Sequence, residues 1–509
     1  MMVSTGFSIA IFALVKATCP VYASSILFSS GTIIAYDNEA NDLNVIRNGN
    51  LLVERDRITA IWSADKEAPV SVPSDTEVID ISGRILTPGF IDTHRHGWQT
   101  LFKTMMSNIT LVEYFGRFSE YAAAGRLDAE QVYISQLSGL YEALNAGTTT
   151  SLDHAHHTWS DDTAWAGLNA SIDSGARVFW SYAFHEVAKY TISQQLVNFR
   201  DIVESASVKD TPVSIGVAFD GFTPATANPK SVDEVFSLAR ELDVAVITTH
   251  SSGGPYGADN SPVNLNALDM LNISIPVVFS HATALTHESA MLLRSTNQHI
   301  AITPETEMGM GIGHPYSALI MDQAALGVDT HAYCSTDLMT QARLWLQSTR
   351  EKINDKILQN WQIPATSPMS VAQSFLLATR NGGLALRRPD LGVLSVGAKA
   401  DVVVWDGTGL GMLGWVDPVA AVMLHSNAGD VEHVLVDGKF VKRHNNIVAG
   451  NLEKTKARFL KATKRAQDDW RKIPYPEREE LFSTGARLRD PEPVDVQAGD
   501  GNGYGQLFL

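Results

Sequence analysis

Five side chains have the types and placement needed to hold a divalent cation and activate a water. His94 and His96 stand two apart, and on an extended strand that spacing sends both imidazoles to one face. Two nitrogens on one face can grip one ion. Zinc suits them best, at ~2.0–2.1 Å in tetrahedral geometry. His250, His281 and Asp337 each stand at the end of another apolar segment. If they converge, they offer three imidazoles and a carboxylate, with one imidazole to spare. Such a set polarises a water and draws its pKa toward neutrality. Asp337 would ligate the ion and accept the water's proton, and His281 would orient the water or donate to a developing oxyanion. The opposing reading, five unrelated buried polar residues, needs five coincidences of position.

A (β/α)8 TIM barrel would position these groups. Short apolar segments alternate with longer helical stretches from residue 89 onward, the pattern of parallel βα units. Eight strands are expected at 90–96, 148–154, 177–185, 213–220, 244–251, 275–282, 299–305 and 331–337. Each has His, Asp or Glu at or next to its C-terminal tip, the end of the barrel where active sites lie. The spacing predicts a β unit over 24–88, with Asn48-Gly49 as a turn, the barrel over 89–388, and a return to β pattern over 389–445. The two β parts form a small β-sandwich built from both chain ends. Residues 370–387 read as a helix closing the barrel. In 446–509, a charged amphipathic helix over 452–472 precedes an extended tail.

Composition narrows the function classes. The chain has 509 residues and a formal net charge of −17, which argues against a nucleic-acid or anionic-membrane partner. The expected partner is a small-molecule substrate, and a homo-oligomer is left open. Two cysteines exclude a disulfide framework and any cysteine-built zinc finger. The apolar run 6–15 is too short to span a bilayer. Val21-Tyr22-Ala23 places small residues where a signal peptidase cuts, so 1–23 reads as a cleaved leader of a secreted protein. The alternative is a cytoplasmic chain with an extra strand or a ragged start.

Thr87-Pro88-Gly89-Phe90-Ile91-Asp92-Thr93-His94-Arg95-His96 resembles the opening motif of the metal-dependent amidohydrolase superfamily. Ala146-Gly147-Thr148-Thr149-Thr150 resembles its second-strand segment, and Gly397-Ala398-Lys399-Ala400-Asp401-Val402-Val403-Val404 its return strand. The cytosine deaminase and chlorotriazine-hydrolase-like branch is the most similar. The resemblance implies that His94, His96, His250 and Asp337 bind one divalent ion, with His281 assisting. Dinuclear members carry a carboxylated lysine on the fourth strand. Residues 213–220 contain no lysine, which implies a single metal, zinc. Deaminases of the family place a glutamate three residues after the fifth-strand histidine, where this chain has Gly253. Glu305 is the substitute acid/base, or else caps the turn that follows.

The expected reaction is hydrolytic C–N cleavage of an amide, cyclic amide or amino-heterocycle. The alternatives are dehalogenation, lactone opening or decarboxylation on the same barrel, or a non-catalytic metal-binding scaffold. Trp98 and Gln99 either wall the pocket or pack the core. His154, in a cluster with Asp153, His156 and His157, lines the pocket, helps bind a second metal, or sits in a solvated loop. The Gly-rich stretch 308–315 reads as a mobile loop over the barrel mouth, with His314 as a substrate contact.

Overall fold

The chain builds two sheets whose strands come from different parts of the sequence. A computed structural model describes residues 25–187, 189–223, 228–313, 320–475, 477 and 480–491. The leader expected over 1–23 lies outside the described residues. No helix among the described residues is long and apolar enough to cross a membrane.

The first sheet takes strands from both chain ends. Its N-terminal strands are β1 (Ser25–Asp37), β2 (Asp42–Glu54), β3 (Arg57–Ser63), β4 (Glu77–Asp80) and β5 (Ile85–Pro88). Asn48-Gly49 does not turn the chain. Both residues lie inside β2, where the β1–β2 register shifts around the Gly31–Gly49 pair and Asn48 takes φ +48°, as in a bulge.

The second sheet is the barrel. Its main strands are β6 (Phe90–Arg95), β7 (Thr148–Ala155), β8 (Arg177–Phe184), β9 (Ser214–Phe219) and β10 (Ile247–Ser252). A two-residue β11 (Ala258–Asp259) pairs back on β10. Then come β12 (Val277–His281), β13 (His299–Ile302) and β14 (Ala324–Leu326). Strands β6 to β10 and β12 to β14 run parallel in chain order. An Arg95–Asp329 bridge closes the ring, with the Asp329 amide donating to the His94 carbonyl at 2.8 Å and the His96 amide to the Asp329 carbonyl at 2.7 Å. A Cβ on Gly327 would stand 2.8 Å from the His94 amide nitrogen, so glycine there permits the close approach of the last strand to the first. Ile91, Leu152, Phe179, Val278, Ala301 and Ala325 fill the interior as a buried apolar layer, so the barrel is a packed core below its mouth.

The eighth strand departs from expectation. It is β14, at 324–326. Residues 331–337 form turns and bends leading into a helix at Leu338–Gln359. Cys334 accordingly lies in a turn, partly buried.

The chain then returns to the first sheet through β15 (Val402–Trp405), β16 (Val431–Val436), β17 (Lys439–Arg443) and β18 (Asn446–Ile447). Between β14 and β15, the expected closing helix is two pieces, Val371–Ala378 and Arg380–Ala385, broken at Thr379. Buried Arg177, at the start of β8, grips Asp401 through two hydrogen bonds of 2.8 and 3.0 Å and also reaches Asp437, which ties the barrel floor to the other sheet. The helix Leu452–Trp470 lays Trp470 against Phe102 with ring centres 4.6 Å apart. Farther on, Leu481 pairs with Arg487. Phe482 packs on Tyr256 and Phe115, and the Thr484 hydroxyl donates to the Pro255 carbonyl at 2.7 Å.

Candidate metal centre

The C-terminal ends of β6, β10 and β12 bring four imidazoles face to face. His94 lies within β6 and His96 just past it, His250 lies in β10, and His281 ends β12. His96 Nε2 and His250 Nε2 are 3.2 Å apart. Asp329 Oδ1 stands 3.4 Å from His96 Nε2 and 3.7 Å from His94 Nε2. Ring nitrogens of His94, His250 and His281 also lie within 4.8 Å of one another. His281 has φ +71° and Asp329 φ +66°, a region that costs a non-glycine residue energy and that recurs at functional sites.

The far side of every ring is tied. His96 Nδ1 donates to the His154 carbonyl at 2.9 Å, and His250 Nδ1 donates to Asp220 Oδ2 at 2.8 Å. His94 Nδ1 hydrogen-bonds the Ser280 hydroxyl at 2.8 Å, and His281 Nδ1 the Thr303 hydroxyl at 3.0 Å. A carbonyl or carboxylate at Nδ1 requires the proton there, which leaves a lone pair on Nε2. Two lone pairs facing at 3.2 Å repel unless a cation lies between them. That spacing is close to the ~3.4 Å edge of a tetrahedron with ~2.1 Å metal–nitrogen bonds. His94 Nε2 is buried without a hydrogen-bond partner among the described residues. Three neutral imidazoles and a carboxylate therefore fit a divalent ion.

Electrostatics agree with ligands held ready. Burial, then neighbouring imidazoles, hold His94 well below the usual histidine range, and burial does the same to His96. Burial takes His281 down to about 4. His250 differs. Burial lowers it, but the Asp220 carboxylate more than offsets this, and its net shift is upward.

Several expected site residues lie elsewhere. Asp337 is not in this cluster. It caps the helix Leu338–Gln359, accepting from the Met339 and Thr340 amides at 2.9 and 3.2 Å. The carboxylate beside the histidines is Asp329, because the last strand ends at Leu326, eleven residues before the expected end at 337. Glu305 accepts from the Gln341 amide at 2.9 Å. The carboxylate of that turn facing the cluster is Glu307, with Oε1 3.4 Å from His281 Nδ1. Trp98 and Gln99 are 0% exposed. Trp98 stacks edge-on to Trp159 at 5.2 Å, and Gln99 donates to the Tyr114 hydroxyl at 2.8 Å, so both belong to the core beneath the mouth. His154 does stand at the site, its Nε2 3.6 Å from Asp220 Oδ2. His314 lies outside the described residues. His156, expected with His154 in the cluster after the second strand, also stands at the site, whereas Asp220 was missed, although it ends the fourth expected strand as the other site residues end theirs.

The position of the usual glutamate is closed. A Cβ on Gly253 would come 2.8 Å from the Ala284 Cβ. A cavity of about 220 Å³ opens beside the histidines, lined by Glu120, Tyr121, His154, His156, His185 and Asp220 among others.

Comparison with known proteins places this arrangement in context. The amidohydrolase family profile matches residues 85–259 and 279–441. The chain is 24% identical over 430 residues to a 5'-deoxyadenosine deaminase of Methanobrevibacter smithii, spanning 81% of this chain and 93% of the relative. It is 26% identical over 435 residues to a 5-methylthioadenosine/S-adenosylhomocysteine deaminase of Thermococcus sibiricus, spanning 82% and 94%. Among solved structures it is similar to an atrazine chlorohydrolase from Arthrobacter aurescens complexed with zinc, with TM-score 0.73, 19% identity, and coverage of 86% of this chain and 100% of the other. It is also similar to an adenosine deaminase from Xanthomonas campestris with bound zinc, with TM-score 0.74, 17% identity, and coverage of 88% and 99%. At these identities the structural likeness shows a shared fold.

Proposed function

The chain belongs to the amidohydrolase family, metal-dependent hydrolases of C–N bonds other than peptide bonds, and from that premise we propose that it removes an amino group from an amino-heterocycle. The metal is proposed to be zinc, held by His94, His96, His250 and Asp329. The observation that carries the reading is the convergence of the His94, His96 and His250 Nε2 atoms, each ring fixed by a hydrogen bond at Nδ1. A divalent ion held there supplies the Lewis acidity that makes a water nucleophilic near neutral pH.

The protein groups do the rest. Asp329, the one carboxylate among the four ligands, takes the proton the water gives up. His281, kept neutral by burial and oriented by Thr303, hydrogen-bonds the substrate ring where negative charge develops. The ring carbon under attack must be electron-poor, which favours nitrogen heterocycles bearing an exocyclic amine. The deaminase names of the relatives support a nucleoside-like substrate.

Ammonia release from a panel of aminopurines, aminopyrimidines, aminotriazines and simple amides tests the reading. Metal-dependent release from at least one amino-heterocycle, lost in His94→Ala, is expected. A metal-replete protein that releases ammonia only from amides, or from nothing, overturns it. We further propose that residues 1–23 are a cleaved leader. A mature chain beginning at Ser24 supports this, and one retaining Met1 refutes it.

A further inference from the structure

His154, in β7, and His156, just past it, repeat the two-apart spacing of His94 and His96 at the end of the neighbouring β6. Both rings are buried. Neither Nδ1 has a hydrogen-bond partner among the described residues. His154 Nε2 has Asp220 Oδ2 at 3.6 Å, and His156 Nδ1 has Glu120 Oε2 at 3.7 Å, both beyond hydrogen-bond length. Buried imidazoles normally find partners. Two adjacent ones without any indicate that something else completes them.

We propose that His154, His156 and Asp220 hold a second divalent transition-metal ion, on the Asp220 side of the His250 ring. Ligand atoms of these three residues and His250 all lie within 4.8 Å of one another. Asp220 Oδ1 is engaged by the His250 amide and the Thr249 hydroxyl, at 2.7 and 3.1 Å. Asp220 Oδ2 accepts from His250 Nδ1 and keeps a lone pair. Its 3.6 Å separation from His154 Nε2 is close to the ~3.4 Å expected of two ligands sharing one tetrahedral ion.

The expectation of a single ion rested on the missing lysine of the fourth strand. Asp220, just past β9, supplies a carboxylate there instead. The surroundings favour a cation, since Glu120 and Glu186 also line the cavity and, among the described residues, no lysine or arginine does. Two nitrogens and one carboxylate oxygen suit zinc, cobalt, manganese or iron in the divalent state. Three protein ligands leave positions open toward the cavity, where an oxygen or nitrogen donor of the substrate can bind. His250 is shared in a defined sense, with Nε2 facing the first centre and Nδ1 bonded to the carboxylate of the second.

Metal counting tests this on the full-length protein. The chain is stripped with chelator, reloaded with zinc, freed of excess by gel filtration and measured by elemental mass spectrometry. Two equivalents per chain are expected for the wild type, one for His154→Ala/His156→Ala and one for Asp220→Asn. Asp329→Ala also keeps one, held at the second site. One equivalent in the wild type overturns the proposal, as does retention of two in both the histidine pair variant and Asp220→Asn. If the histidine pair variant does not fold, the wild-type count and Asp220→Asn decide. A wild type with one equivalent that Asp329→Ala removes would leave the first centre intact and eliminate only the second. A wild type with one equivalent that survives Asp329→Ala would instead sink the first-centre assignment.

Discussion

Two carboxylates eight residues apart in the chain allow a sharp test of the metal centre. Asp337→Ala removes a helix cap that accepts two amides, at 2.9 and 3.2 Å. Losing such a cap costs ~0.5–2 kcal/mol, and the favourable charge at the helix N-terminus adds ~0.3–1 kcal/mol. The variant should therefore melt a few degrees lower and keep its full metal content. Asp329→Ala removes the anion whose Oδ1 lies 3.4 and 3.7 Å from two Nε2 atoms. Removing a residue that merely orients a ligand weakens metal binding ~10–100-fold, so loss of the ligand itself should exceed that. It should strip one equivalent and abolish turnover. Elemental analysis after competition with a calibrated chelator, paired with thermal melts, reads both effects. Equal metal loss in the two variants, or a wild-type count in Asp329→Ala, would refute the placement of the last strand as well as the ligand assignment.

Three further outcomes are expected. Ser280→Ala removes the partner of His94 Nδ1 and should weaken zinc about 10–100-fold in a chelator competition; an unchanged affinity would show that His94 needs no orienting bond. Arg177→Met leaves Asp401 and Asp437 without their guanidinium and should cost about 3–5 kcal/mol; an unaltered melting curve would remove Arg177 from the account of how the two sheets are joined. Burial holds the His299 imidazole down to about 4, against 6.5 when exposed. The unfolded chain therefore takes up that proton first, and stability present above pH 6.5 drains as pH falls toward 4, on the order of 3 kcal/mol in all. His299→Gln should flatten melting temperature against pH over that window, and a slope identical to wild type would refute the assignment.

Much of the scaffold is readable from sequence because parallel barrel strands are buried on both faces and appear as unbroken apolar runs. Strands β7 and β8, fully buried along their length, are of this kind. The last strand is not. Ala324-Ala325-Leu326 is short and small, and Gly327 interrupts it, so the apolar pattern fades just before the carboxylate that stands beside the histidines. Asp329 reaches the site through a left-handed backbone, which residue types do not announce. Trp98 and Gln99 follow the first motif closely enough to suggest pocket walls. Their true surroundings depend on Trp470, more than 350 residues away, covering Phe102. The histidines were legible because a metal site demands donors at strand tips. Asp220 meets the same criterion, but a lone carboxylate at the end of 213–220, with no second donor two residues away, carries no spacing that marks it as a ligand.

Phe482 and Thr484 rest on the turn that follows β10, beside Tyr256 and Pro255. That turn is thus backed by a segment 229 residues farther along the chain. Cleavage near Pro474 would remove that backing and should loosen the turn while the four histidines keep their own ties.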